Sequence, residues 1–136
     1  MIGCVAEETQ SFTVVGDAIP VALIKTVGDA ERGQAIFLDR ERGHCVLCHA
    51  VDGLNARFQG NVGPALNGIG ARLNEGQLRL RVVDYTQIDP NVIMPSYFRS
   101  DNLHQVGQAY EGQTVLSAQE VENIVAYLMT LDGAPS

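Results

Sequence analysis

Cys45-Val46-Leu47-Cys48-His49 follows the pattern through which c-type haem is attached to a protein: two cysteines three positions apart, with a histidine directly after the second. One turn of helix across this spacing places both sulfurs along one edge of a porphyrin, where they can bond its two vinyl-derived carbons. The next side chain, that of His49, then projects at the iron from the same face. The motif predicts one covalently bound haem c, attached through Cys45 and Cys48, with His49 as an iron ligand.

Two other chemistries use closely spaced cysteines, and neither suits this sequence. A thioredoxin-like redox pair normally follows a strand in a βαβ pattern, which this chain does not show. A zinc site needs a second pair of ligands, and His44 and His104 do not supply one at a usual spacing. Haem attachment is therefore the favoured interpretation.

The sixth iron ligand has five candidates: Met94, Met129, His44, His104 and Met1. Met129 falls inside a predicted helix, and His44 adjoins the attachment motif on its proximal side. Met94 precedes Pro95 in a loop that the proline stiffens, and this loop can fold over the other face of the ring. We predict Met94 as the ligand, with His104 as the second choice. Methionine with histidine raises the reduction potential and favours electron transfer over oxygen chemistry, because no iron position is left open.

The second ring nitrogen of a metal-bound histidine usually donates a hydrogen bond to a carbonyl or carboxylate. Asn61-Val62-Gly63-Pro64-Ala65-Leu66 follows the motif closely enough to supply such an acceptor, and the Pro64 carbonyl is the predicted one. Gly-Pro is also a common turn signal, so a turn without this contact is the alternative. Arg57, Arg72 and Arg99 lie in predicted loops and could neutralise the haem propionates, with a solvated surface charge as the other interpretation.

Composition and charge exclude several other classes of protein. The 136 residues suit a single domain, and the formal net charge is −7 at pH 7. Nucleic acid and anionic membranes are bound by clustered Lys and Arg, whereas the arginines here are scattered among acids. No apolar run approaches the roughly 20 residues of a membrane span. No signal peptide is visible, so we expect a processed chain. The third cysteine, Cys4, could be a free thiol, a lipid attachment site or part of an intermolecular disulfide.

Three segments are predicted to be helical. Asp29 can cap a helix that runs to Phe37, and Gly33 inside it indicates a close helix crossing, since glycine in a helix interior costs about 1 kcal/mol. Ser117-Ala118-Gln119-Glu120 is a capping box at the start of the last helix, which carries one apolar stripe. The segment from Asn74 to Asp84 begins with a helix cap but also alternates as a strand does. We favour the helix, because the chain offers no convincing strand to pair with it.

The sequence therefore predicts an all-α protein of three to four helices around one covalently bound haem, whose volume supplies core and makes the long loops reasonable. Residues 1–26 are predicted to form an extended N-terminal arm. The segment from Phe12 to Ile24 is apolar and β-branched, and Gly16 and Pro20 break it. Such an arm needs burial, either on its own domain or on a partner, and both alternatives stay open.

Residues 28–133 resemble class I cytochromes c, so we predict that residues 27–136 form a cytochrome c domain. Five segments together resemble the SoxX family, the monohaem subunits of the SoxAX complexes of thiosulfate-oxidising bacteria. These segments are Cys45 to His49, Arg57 to Asn61 with Gly63-Pro64, Glu75 to Asp84, Ile93 to Tyr97, and Leu116 to Glu122. Glu75 to Asp84 and Ile93 to Tyr97, taken together, are much more specific for this family than the haem motif alone.

The resemblance implies a function. It implies Cys45 and Cys48 as haem attachment sites, His49 and Met94 as axial ligands, and SoxA, a haem-bearing subunit of the periplasm, as the partner. The complex joins thiosulfate oxidatively to a cysteine of the carrier SoxYZ, which makes it an L-cysteine S-thiosulfotransferase. The reactive cysteine belongs to SoxA, so this chain would accept the electrons and pass them to a soluble cytochrome c, and its arm would lie at the SoxA interface. A freestanding periplasmic shuttle cytochrome is the alternative.

Overall fold

A computed structural model describes residues 12–52, 54, 59–98 and 115–133 of the chain. These residues contain four α-helices and two short 3₁₀ turns. The helices are α1 (Ala30–Leu38), α2 (Ile69–Arg72), α3 (Glu75–Asp84) and α4 (Ala118–Met129), and the turns are Cys45–Leu47 and Tyr85–Gln87. The only β feature in the described part is an isolated bridge between Val15 and Ala18. The predicted all-α class, with three to four helices, is confirmed.

The segment from Asn74 to Asp84 is helical, as favoured from the sequence. Asn74 Oδ1 accepts the Gln77 N–H at 2.9 Å, and Gln77 Oε1 accepts the Asn74 N–H at 2.9 Å, which is a reciprocal capping box. The strand-like alternation arises because a charged residue, Arg79, occupies a buried position of the helix, where an apolar residue would have produced the helical pattern. A buried ion pair, and not solvent exposure, accounts for the charge at that position.

Helices α1 and α4 cross closely, as predicted from Gly33. A Cβ added at Gly33 would lie 1.9 Å from the Asn123 carbonyl oxygen, so only glycine allows this approach. The α1 cap is also fastened to α4, because the Asp29 N–H donates to Asn123 Oδ1 at 2.9 Å. Beside the crossing, the rings of Phe37 and Tyr127 meet edge to face with centroids 5.4 Å apart. Among the described residues, this is the most extensive contact between two helices.

The described part of the N-terminal arm, residues 12–26, packs on its own domain. Ile19 is fully buried and Leu23 nearly so. The Ile19 N–H donates to Gly76 O at 2.9 Å, and the Leu23 N–H donates to Glu122 Oε2 at 3.0 Å. This burial matches the first of the two alternatives for the arm. The division of the chain at residue 26 stays a prediction.

None of the helices in the described part of the chain is long and apolar enough to cross a membrane.

Candidate haem site

The attachment motif forms a single turn of helical backbone after α1. The Leu47 N–H donates to His44 O at 3.1 Å. The Cys45 carbonyl accepts two hydrogen bonds, from the Cys48 N–H at 3.1 Å and from the His49 N–H at 3.0 Å. His44 precedes the turn with φ +47°, a left-handed conformation that reverses the chain into it. Neither motif cysteine is part of a disulfide, and both line one cavity. The turn therefore presents two sulfurs and the following histidine to the same space, as the spacing predicts.

The His49 ring is fixed by two contacts. Its Nδ1 lies 2.7 Å from the Pro64 carbonyl oxygen, which is the hydrogen bond predicted from the sequence. A carbonyl only accepts, so the proton sits on Nδ1 and Nε2 is the nitrogen free to bind a metal. The ring also rests against Gly63, where an added Cβ would lie 2.4 Å from Cε1. The sequence alone gave no indication that Gly63 contacts the His49 ring.

The cavity beside this turn has a volume of about 450 Å³ and a predominantly apolar lining. It is lined by His44, Cys45, Cys48, His49, Val62, Gly63, Pro64, Tyr85, Val92, Ile93, Met94, Pro95 and Tyr97. The attachment motif, the Pro64 segment and the Met94 loop, far apart in sequence, thus meet around one space. Of the ligand candidates that the structure describes, His49, Met94 and His44 line the cavity. Met129 lies half-buried in α4 and does not line it.

The residues around the cavity fit haem c. The cavity has the size and apolar character of a ligand pocket, and it offers two cysteine sulfurs, an imidazole with its tautomer fixed and a thioether. Burial raises the pKa of Cys45 to about 12, whereas redox-active pairs depend on a lowered thiol pKa. No group of three or more His, Cys, Asp or Glu that could hold a metal ion occurs among the described residues. The raised pKa of Cys45 therefore argues against the redox-pair alternative.

Tyr97 links the Met94 loop to the attachment turn, a role that the sequence did not reveal. Its hydroxyl donates to Gly43 O at 2.9 Å, two residues before the first motif cysteine. Burial, with further contributions from Cys45 and Cys48, raises the pKa of Tyr97 above its ordinary value, so the phenol stays protonated as the donor. The signal in the sequence was a lone tyrosine three residues after Met94, which gives no hint of its acceptor.

Other candidates lie elsewhere or outside the described residues. Arg72 is exposed, does not line the cavity, and donates from Nη1 to Asn67 O at 2.9 Å. The second-choice ligand His104 lies outside the described residues. So do Met1, Cys4, Arg57 and Arg99.

The sequence matches the cytochrome c family over residues 30–132, so the chain belongs to that family. Members carry covalently bound haem c, in agreement with the motif and the cavity. A search of solved structures then gives a more particular likeness. A chain in the crystal structure of SoxXA from P. pantotrophus superposes with a TM-score of 0.81 and 30% sequence identity, covering 89% of this chain and 94% of that one. The protein is a SoxX-like cytochrome c. The comparison with curated proteins found no match.

Proposed function

We propose that this protein is the monohaem electron-transfer subunit of a SoxAX-type complex in the periplasm. It accepts electrons as the complex joins thiosulfate to a cysteine of the carrier SoxYZ, and it passes them to a soluble cytochrome c. The observation that carries the proposal is the likeness to a SoxXA chain along nearly the whole length of both chains. The cavity that gathers His49 and Met94 supports the electron-transfer role.

The geometry of the cavity supports a role for each residue in this proposal. Cys45 and Cys48 would hold haem c through thioether bonds, His49 Nε2 and Met94 would bind its iron, and the Pro64 carbonyl would orient the histidine. Haem c supplies a one-electron iron couple when it is bound. With His49 and Met94 both bound, the iron would have no open position, and the apolar lining of the cavity limits access of water. Both features favour electron transfer over oxygen chemistry.

The sulfur chemistry is assigned to the SoxA partner and not to this chain. A cysteine that attacks or carries sulfur needs thiolate character, which a lowered pKa provides. Both described cysteines belong to the haem motif, and a sulfur held in a thioether bond to haem has no thiolate form with which to attack. In this proposal the protein is the electron-accepting subunit of an L-cysteine S-thiosulfotransferase, and the catalytic cysteine lies on SoxA.

A freestanding shuttle cytochrome is the second candidate function, and the packing of the arm favours it. An arm that covered SoxA would be expected to leave its apolar side chains unburied in the isolated chain. Ile19 and Leu23 are instead buried on their own domain, while Val15 and Val21 are exposed. The arm therefore gives less support to a permanent partner than its composition suggests.

Affinity purification of the tagged haem protein from the periplasm of thiosulfate-grown cells tests the proposal. We expect a larger haem protein in equal amount, and we expect the purified pair to become reduced when thiosulfate and SoxYZ are added. The matched control is this protein alone with the same additions, which should stay oxidised. Recovery of the monohaem protein by itself, still redox-active, would contradict the subunit role and favour the shuttle.

A further inference from the structure

The loop that carries Met94 leaves the end of α3 and returns to it. The chain departs through the 3₁₀ turn Tyr85–Gln87. It comes back where the Tyr97 N–H donates to Val82 O at 3.2 Å and the Phe98 N–H donates to Val83 O at 3.3 Å. Both ends of the loop are thus attached to the last turn of α3. The position of Met94 depends on what holds the two legs of this loop together.

Asp84, the last residue of α3, bonds both legs. On the outgoing leg its carboxylate accepts the Thr86 N–H at 3.3 Å, a short hydrogen bond from the Thr86 hydroxyl, and the Gln87 side-chain amide at 3.4 Å. On the returning leg it accepts the Ser96 hydroxyl at 2.7 Å. Ser96 lies two residues after Met94. Asp84 is only 2% exposed, so these contacts are made away from solvent.

The hydrogen bonds to Asp84 stabilise the loop because the carboxylate that accepts them is buried. Burial of a charge is costly unless hydrogen bonds satisfy it, and bonds to a charged acceptor are among the stronger ones in proteins. Movement of Met94 away from the cavity would carry Ser96 with it and remove a donor from the buried carboxylate. The carboxylate would then lack that donor, which penalises the opened loop.

We infer that Asp84 is a positioning residue for Met94, which acts through Ser96 to keep the thioether at the cavity. The inference rests on the proposed ligation of iron by Met94. Asp84 also bonds the turn directly after α3 through Thr86, and that local role alone would stabilise the helix end without affecting the ligand. The bond to Ser96 is the contact that distinguishes the two roles.

Imidazole, added to the oxidised holoprotein, competes with Met94 for iron and reports how readily the loop opens. The long-wavelength absorption band of sulfur-to-iron ligation gives the readout. For Asp84→Asn we expect imidazole to bind about tenfold more tightly, since a hydrogen bond to a charged acceptor is lost. We expect Ser96→Ala to shift affinity in the same direction. The double variant should be no more affected than Asp84→Asn alone, because the two residues act through one bond.

Asp89→Asn is the matched control. Asp89 lies in the same loop and also accepts a backbone hydrogen bond, from the Asn91 N–H at 3.0 Å, but it is exposed. We expect its imidazole affinity to equal that of the unaltered protein. An unchanged affinity in Asp84→Asn, or fully additive effects in the double variant, would overturn the inference. If Asp84→Asn does not accumulate with haem attached, Ser96→Ala decides the question, and an unchanged affinity there overturns it.

Met94→Ala in the same series separates this inference from the assignment on which it rests. Survival of the absorption band in Met94→Ala would refute Met94 ligation itself. Loss of the band in Met94→Ala, together with unchanged affinity in Asp84→Asn, would refute only the role of Asp84. Neither result depends on a partner protein, so the proposed place in a SoxAX-type complex is tested independently.

Discussion

Met94 and His49 come from segments 45 positions apart, and each reaches the cavity by a different means. His49 is fixed locally, since the attachment turn directs it and the Pro64 carbonyl sets its tautomer. Met94 depends on a loop, which is held by Asp84 at its base and by Tyr97 on the far side. His49 is therefore held more rigidly than Met94, and Met94 is the residue whose position single substitutions should disturb.

Replacement of Met94 by alanine tests the axial assignment. We expect the haem to stay attached, because the two motif cysteines are untouched, while the sulfur-to-iron absorption band disappears. The reduction potential should fall, by a fraction of the roughly 0.8 V that axial ligands span, since a thioether stabilises the reduced iron. Spectra and potentiometric titration measure both effects. Met129→Leu is the control, and it should keep the band. A band that survived in Met94→Ala would contradict the assignment.

At the residue scale the sequence predicts contacts that a general chemical rule requires. The Pro64 carbonyl was found because a metal-bound histidine needs an acceptor and a nearby Gly-Pro turn offers one. Its contact with His49 is present, and its role towards iron stays a proposal. No such rule points to Asp84, whose bond with Ser96 spans 12 positions, or to the acceptor of Tyr97 at 54 positions. These contacts depend on how the loop that carries Met94 folds back on the domain, and no local sequence pattern predicts that.

At the scale of elements, α1 and α4 are predictable because their signals are local. The side chains that cap both helices lie within four residues of the caps they satisfy. Their crossing was also predictable in part, since a glycine in a helix interior needs a reason. The prediction for the segment that forms α3 was ambiguous between helix and strand, because the charged residue Arg79 occupies a buried position. Its partner, Glu122, lies 43 positions away and only the folded chain shows it.

Gly33→Ala tests the α1–α4 crossing through the sign of its effect. Glycine to alanine in a helix interior normally stabilises by about 1 kcal/mol. Here the new methyl group would lie 1.9 Å from the Asn123 carbonyl oxygen, and the backbone there cannot yield easily. We expect a loss of about 2–3 kcal/mol in the free energy of unfolding, measured with denaturant on the holoprotein. Ala35→Gly, on an exposed position of α1, should cost only about 1 kcal/mol. A more stable Gly33→Ala protein would contradict the close crossing.

Glu120 connects the start of α4 to the loop before the haem motif, and this connection should depend on pH. Burial raises the pKa of Glu120, but hydrogen bonds from Arg42 and Ser117 outweigh that effect, so the pKa lies below its ordinary value. A carboxyl group with a lowered folded-state pKa contributes stability above its unfolded pKa. That contribution is lost as the pH falls through the folded value.

Glu120→Gln should therefore destabilise the protein at neutral pH, by about 1 kcal/mol for a cap and a half-exposed ion pair. The difference from the unaltered protein should shrink as the pH falls below the ordinary pKa of glutamate, because the lowered pKa of Glu120 delays its protonation until then. Denaturant unfolding at a series of pH values measures it. Glu31→Gln, in the exposed first turn of α1, controls for the helix dipole alone. A difference that stayed constant down to acidic pH would show that the ionised carboxylate contributes nothing.

At the scale of the whole molecule, one buried ion pair joins three parts of the chain. Arg79 on α3 donates to Glu122 on α4 at 2.7 and 2.9 Å, and both side chains are almost fully buried. Arg79 Nη1 also donates to Ile19 O at 2.7 Å, and Glu122 Oε2 accepts the Leu23 N–H. The arm is thus fastened to two helices by polar contacts as well as by its apolar side chains. The sequence left the place of the arm open because no residue within it indicates this pair.

Removal of one member of the pair should be more harmful than removal of both. Glu122→Gln keeps the shape of the side chain but leaves the Arg79 charge buried without its partner, at a cost of about 3–5 kcal/mol. The double variant Arg79→Met with Glu122→Leu removes both charges and should be more stable than Glu122→Gln. Unfolding of the holoproteins in denaturant gives these differences. A loss below about 1 kcal/mol in Glu122→Gln would contradict the role assigned to the pair.

Hydrogen exchange at the amides of Ile19 and Leu23 extends the same test to the arm. In the unaltered protein alone we expect both amides to be protected, because each donates to a buried acceptor. Glu122→Gln should lower the protection of Leu23 most, since its acceptor changes from a carboxylate to an amide oxygen. Rapid exchange in the unaltered protein would mean that the arm needs another surface to order it. Protection would mean that a partner can meet this part of the arm only through exposed side chains such as Val15 and Val21.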